Sequence, residues 1–224
     1  MNREDIYKLL EDKMLGYEDY LDVPTIDNNE KLVVIRNTKN LKRGKIGHEL
    51  ASELHRSIFL RADAKKRLHK AAKLLGEFDE SLCLEIVYGH RSIKVQEKLY
   101  EEFKNKLSGT YSGKQLIAET HRKIALPSVA GHPTGGAIDI HITRNGTPIN
   151  MGTKIWEFKK DSFTFSPFID TEAWSNRQLL RTIMLQVGFA PFDGEWWHFS
   201  YGDKEWAKYY HKPNALYDSR EVAV

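Results

Sequence analysis

Two stretches of the chain hold the residue types from which a hydrolytic metal site can be built. "AGHPTGGAIDIHI" (Ala130–Ile142) sets His132 beside a glycine-rich turn and Asp139 at the head of an alternating pattern, and "GEWWHF" downstream supplies Glu195 and His198. Zinc sites in hydrolases use three protein ligands from His, Asp and Glu and leave one position for water. Coordination brings the pKa of that water to about 7, so a carboxylate beside it can take its proton. His132, Asp139 and His198 are the candidate ligands, and Glu195 is the candidate base. Trp196 and Trp197 are expected to wall the site with apolar bulk that strengthens its electrostatics. Each half also has a plainer reading. A histidine among glycines serves as a turn residue, an aspartate on a strand is often paired or at an edge, and Glu-x-x-His says little without a partner stretch. "HELASELH" starts like a His-Glu-x-x-His zinc helix but has Ser52 at the second histidine position, so His48, Glu49 and His55 read as surface residues.

The elements that must position these residues follow from periodicity and stop signals. In "AIDIHIT", Ile138, Ile140 and Ile142 share one face of a strand while Ala137, Asp139 and His141 share the other. On that second face a lone charge is costly unless it is paired or metal-bound. Gly131, Gly135 and Gly136 permit the sharp turn before it, and Asn145-Gly146 after it is a hairpin signal. "KLVVIRNT" and "LCLEIVYG" read as strands, the second ending at Gly89. "RADAKKRLHKAAKLLG" has Leu68, Ala71, Ala72 and Leu75 at helical spacing, with Gly76 as a stop. Ser92 is placed to cap a helix carrying Val95, Leu99 and Phe103, and a further helical segment runs from about Lys114 to Ile124. "SNRQLLRTIMLQVG" reads as a helix facing inward through Leu179, Leu180, Ile183, Met184 and Val187 and closed by Gly188. "GFAPFDGEWWHFSYG" then returns as a strand. The pattern predicts an α+β fold, a small and mainly antiparallel sheet with helices packed on it.

Composition bounds the alternatives. The 224 residues are 41% hydrophobic and 29% charged, and 34 basic residues against 31 acidic ones leave a net charge of +3. That is an ordinary globular balance, without the basic excess or stripe expected of a nucleic-acid partner. "NLKRGK" and "AKKRLHK" are short clusters, the second a solvated helix face. The N-terminus "MNREDIYKLLEDKMLG" is an amphipathic helix, not a signal peptide, and no apolar run approaches membrane-spanning length. The expectation is a cytoplasmic chain with no membrane partner. The single cysteine, Cys83, excludes an internal disulfide and reads as a small buried hydrophobe.

The two stretches taken together, H-x-x-G-x-A-x-D in His132–Asp139 followed by E-W-W-H in Glu195–His198, resemble the zinc D,D-peptidases of the M15 family, most of all the D-alanyl-D-alanine dipeptidases of the vancomycin-resistance type. "IALPSVAGH", "NMGTKIWEF", "SNRQLLRTIMLQVGF" and "VYGHRS" extend the likeness from about Val33 to Tyr201. The resemblance implies the zinc D,D-peptidase fold over residues 1–224 as one domain with an N-terminal helical extension. It implies one zinc ion on His132, Asp139 and His198, Glu195 as general base, and a small peptide substrate. Arg91 of "VYGHRS" would donate to the carbonyl oxygen as it becomes an oxyanion, a task suited to a fixed, always-charged fork; its plainer role is a surface ion pair at a helix start. The chain departs from the family at Ala130, where it carries serine, at Pro133 and Thr134, where it carries serine and arginine after the first ligand, and at Trp156, where it carries an aspartate. Those departures bear on the preference for a free dipeptide and point to a longer stem fragment or another D-amino-acid-containing peptide. His141 shares a face with Asp139 and is a candidate to hold a ligand from behind or to contact substrate, with a polar surface role as the plainer reading. Two further readings stay open, a D,D-carboxypeptidase and a non-catalytic zinc-containing binding module on the same scaffold.

Overall fold

A computed structural model of the chain describes residues 1–44, 57–121 and 124–222. The first helix, α1 (Arg3–Glu11), begins at a capping box in which Asn2 and Asp5 each accept from the other's backbone N–H. Three short strands follow: β1 (Leu32–Val34), β2 (Leu41–Arg43) and β3 (Phe59–Arg61). His48, Glu49 and His55 lie outside the described residues. Helix α2 (Ala62–Phe78) buries Leu68, Ala71, Ala72 and Leu75, the stripe read from the sequence. It does not stop at Gly76. That glycine sits against Asn40, whose amide nitrogen would lie 2.0 Å from an added Cβ, so it serves a close approach and not a helix end.

Strand β4 (Leu82–Tyr88) leads to α3 (Ile93–Ser108), capped by the Ser92 side chain on Val95 N–H, and then to α4 (Gly113–His121). The central strand β5 (Ala137–Arg144) turns through Asn145 and Gly146, both at positive φ, into the short β6 (Thr147–Pro148). That is the backbone a two-residue hairpin demands. Helix α5 (Thr171–Gln186) starts four residues before the sequence pattern does, because Asp170 caps it by accepting from Ala173 N–H. The last tryptophan-rich stretch is only partly strand: β7 (Ala190–Pro191) and β8 (His198–Ser200) flank a turn, and α6 (Lys204–Tyr209) follows.

The main sheet has the order β2-β4-β5-β8-β7, with β6 added on β5; β1 and β3 pair separately. All pairs are antiparallel except β2 with β4. The architecture is therefore the α+β one predicted. One face of the sheet, with Ile138, Ile140, Ile142, Leu84 and Ile86, packs into a core shared with α2 and α5. The opposite face at the β4–β5–β8 centre carries the polar residues. Among the described residues no helix is long and apolar enough to cross a membrane.

Candidate metal centre and catalytic cleft

Strand register brings the site together. Asp139 on β5 stands directly opposite His198 on β8, so their side chains share a face. On the other side a register shift in β4 between Ile86 and Tyr88 places Tyr88 opposite Asp139. Bulges of this kind re-aim side chains beside functional sites. His132 enters from a 3-10 turn (His132–Thr134) that ends at Gly135 with φ +74°, and a Cβ on Gly136 would lie 2.2 Å from the Tyr201 carbonyl oxygen. The two glycines thus let the turn sit tightly on the sheet.

One ligand atom from each of His132, Asp139 and His198 lies within 4.8 Å of the other two. His132 Nδ1 donates to the Gly89 carbonyl at 2.8 Å, which leaves its Nε2 lone pair facing Asp139 Oδ1 at 3.6 Å. Two acceptors aimed at a common point without a proton between them fit a cation. His198 presents Nδ1 to the same Asp139 oxygen at 3.1 Å. The second Asp139 oxygen accepts from the Trp156 indole at 2.8 Å. Two imidazoles and a carboxylate, with the partner nitrogen of His132 and the second oxygen of Asp139 already held, suit zinc.

Burial pulls the His132 imidazole down to about 4, so it is neutral near pH 7. Burial alone would raise Asp139, but the facing His132 and His198 outweigh it and hold that carboxyl far below the usual range. Burial likewise disfavours the charged form of His198, yet Asp139, then Glu205 and Glu195, raise it to about 10. A metal that took His198 as a ligand would have to displace a proton from it.

A cavity of about 670 Å³ opens over the cluster and is lined by Arg91 and Glu195 as well as by the three ligand candidates. Glu195 sits in a turn: its N–H donates to the Phe192 carbonyl at 3.0 Å, and its own carbonyl accepts from His198 N–H at 3.1 Å. Burial lifts its carboxyl to about 7. Arg91 is not a surface ion-pair residue. It is buried, it has no ion pair among the described residues, its Nε donates to the Tyr88 hydroxyl at 2.7 Å and its Nη1 to Gln96 Oε1 at 2.7 Å. Its backbone N–H donates to the His132 carbonyl at 3.2 Å. The guanidinium is thereby fixed in the cleft with Nη2 left free of protein partners among the described residues.

Some expectations are corrected. Trp196 and Trp197 are not on the open wall of the cleft; both rings are buried in the core, where Trp196 donates to the Thr153 hydroxyl at 2.8 Å and Trp197 backs the Glu195 carboxyl. The wall is built by Trp156 and Phe158, together with Leu99 and Phe103 of α3, whose apolar stripe faces the cleft and is only half-buried. His141 is neither a surface residue nor part of the cluster: it is buried and paired with Glu85 at 3.0 Å across β4 and β5. Cys83 is half-buried, not fully enclosed. Sequence reasoning missed Tyr17, Tyr88, Gln96 and Glu205. Tyr88 and Gln96 flank Arg91 and could have been found from that; Tyr17 comes from a distant segment with no motif. Trp156 was singled out only as a missing aspartate. It has φ +61°, a left-handed backbone rare for a bulky side chain, and strain of this kind concentrates at functional sites.

Two histidines and an aspartate around one point, under a cleft with a carboxyl and an arginine, are a donor set of the kind metallohydrolases use. The chain belongs to the peptidase M15 family, whose model, described as D-ala-D-ala dipeptidase, matches residues 46–215, and it is a metallopeptidase. It is 30% identical over 223 residues to a D-alanyl-D-alanine dipeptidase of Synechocystis sp., covering 86% of this chain and 90% of that one. A D-alanyl-D-alanine dipeptidase of Enterococcus faecium is 30% identical over 93 residues, 41% of this chain and 43% of that one. The solved structure of VanYB in complex with D-Alanine-D-Alanine is similar with a TM-score of 0.44 and 16% identity, over 86% of this chain and 93% of that one.

Proposed function

We propose that the chain hydrolyses a peptide bond in D-Ala-D-Ala or a related peptidoglycan-derived peptide containing D-residues, as one peptidase unit over residues 1–224 with α1 as an N-terminal extension. One zinc ion is held by His132, Asp139 and His198. The observation that carries this reading is the convergence of those three donors in a cavity that Glu195 and Arg91 also line. Zinc bound there supplies Lewis acidity, lowering the pKa of a water and polarising a carbonyl. Glu195 takes the proton of the attacking water and passes it to the leaving amine. A carboxyl lifted towards 7 is suited to both transfers, and positive charge beside it favours its ionised, accepting form. Arg91, held by Tyr88 and Gln96, offers Nη2 to the carbonyl oxygen as negative charge develops there. Trp156 donates to Asp139 Oδ2, which orients the other oxygen towards the ion.

The cleft also bears on substrate size. A second cavity of about 550 Å³ shares Tyr17, Phe158 and Glu195 with the first, so the two adjoin at the base. Trp156 stands where the family carries an acidic residue. Both features favour a peptide longer than a free dipeptide and keep a carboxypeptidase action on stem peptides as the second reading. The test is release of free D-alanine from D-Ala-D-Ala and from longer stem peptides, before and after zinc chelation and in Glu195→Gln. Activity is expected to vanish on chelation, to return with zinc, and to fall about 10²–10⁴-fold in the variant with its zinc content retained. Hydrolysis that survives both treatments overturns the proposal.

A further inference from the structure

His132 and His198 offer different nitrogens to the cluster. His132 turns Nε2 inward, and its outer Nδ1 is tied to the Gly89 carbonyl. His198 turns Nδ1 inward and needs an equivalent acceptor at Nε2, because an imidazole that gives one nitrogen to a metal carries its proton on the other. The group facing that nitrogen is Glu205, with Oε2 at 3.8 Å. Glu205 is a buried carboxyl group, 6% exposed, whose Oε1 has no hydrogen-bond partner, and the positive charge of an ion on His198 favours its ionised, accepting form. A buried carboxylate without hydrogen bonds is costly unless a charge or a donor answers it. The strand and turn after His198 hold it there. Asp203 caps α6 by accepting from Trp206 N–H at 2.9 Å, and it also accepts from the Ser200 hydroxyl of β8 at 2.8 Å. Trp206 in turn is anchored on the Gly188 carbonyl at 3.1 Å.

We infer that Glu205 is the positioning residue of the metal centre: its carboxylate accepts the Nε2 proton of His198, fixing the tautomer and ring orientation in which Nδ1 is free to ligate. His198 then stands between two carboxylates with separate tasks, Asp139 sharing its ion and Glu205 holding its far side. Partners of this kind govern metal affinity by roughly 10–100-fold. The inference rests on the reading of His198 as a ligand.

The experiment measures zinc affinity by competition with a chromophoric chelator for the full chain and for Glu205→Gln, Glu205→Leu and His198→Ala. The His198 tautomer is read by nitrogen-15 NMR of the zinc-loaded protein. Glu205→Leu is expected to bind zinc roughly 10–100-fold more weakly and to lose the single Nε2–H tautomer. Glu205→Gln, nearly isosteric and still an acceptor, is expected to retain the tautomer and weaken zinc by about tenfold. Melting of the metal-free proteins reports folding, and the glutamine variant decides the matter if the leucine variant does not fold. Zinc affinity within about twofold of the parent in the folded variants overturns the role of Glu205. A parent that takes up no zinc, or a His198→Ala variant that binds as tightly as the parent, instead overturns the ligand set itself.

Discussion

Replacing Arg177 with methionine tests how the cleft wall is held. Arg177 projects from α5 and is 1% exposed. Its Nε donates to the Met151 carbonyl at 2.8 Å, and its Nη1 to the carbonyls of Asp161 at 2.8 Å and Phe163 at 2.7 Å. These bonds clamp onto the helix the segment that carries Trp156 and Phe158. Methionine keeps much of the volume but leaves the Met151 and Asp161 carbonyls without a donor, at roughly 1–3 kcal/mol each, while the Phe163 carbonyl keeps the Ser166 N–H at 2.9 Å. The opposing effect is relief of the guanidinium's own burial, which pulls its pKa from 12.5 to about 10 and is worth about 3 kcal/mol. The orphaned carbonyls win narrowly, with a net loss of about 1 kcal/mol at the middle of the range. For a chain of this size that is a fall in melting temperature of roughly 2–4 °C. The measurement is a thermal melt of parent and variant in zinc, paired with the chelator competition. Zinc affinity falls as well, because Trp156 loosens from Asp139. A variant that melts within about 1 °C of the parent with unchanged zinc affinity refutes the clamp.

Trp156→Phe removes the indole donor from Asp139 Oδ2 while keeping an aromatic wall. Zinc affinity is expected to fall roughly 10–100-fold with little change in metal-free melting, and equal affinity would sink the role. The metal-free protein should lose stability as pH rises from about 6.5 to 10. His198 at about 10, Glu205 at about 8 and Glu195 at about 7 all lie above their ordinary values, so over that span the folded chain binds more protons than the unfolded one. His132, lowered to about 4, acts in the opposite sense only below 6.5. Zinc displaces the His198 proton and removes that residue's share of the decline. A melting temperature of the chelated protein that climbs between pH 7 and 10 contradicts the assigned protonation.

What could be read from the sequence was what local periodicity encodes. The isoleucines of β5, the stripe of α2, the Ser92 cap and the Asn145-Gly146 turn are each decided by neighbours within a few residues, and the structure contains all of them. The two motif stretches were visible because residue type and spacing are sequence properties, and the register of Asp139 against His198 accounts for their meeting. The errors lie where tertiary approach overrides a local rule. Gly76 looked like a helix stop and is a contact with Asn40; the Trp196 and Trp197 rings looked like cleft walls and are core. The apolar stripe of α3 was legible as a helix face, but periodicity could not tell that Leu99 and Phe103 line the cavity over the three ligand candidates and stay half-buried. Supporting residues were the hardest to see. Glu205 and Trp156 are proposed to support ligand candidates that lie at a distance along the chain or across the sheet, and a lone glutamate or tryptophan has no periodicity to mark it. Their roles follow from a rule about the ligands: each imidazole nitrogen or carboxylate oxygen turned away from a metal must be held by something, so naming the three ligands sets the search for what holds them.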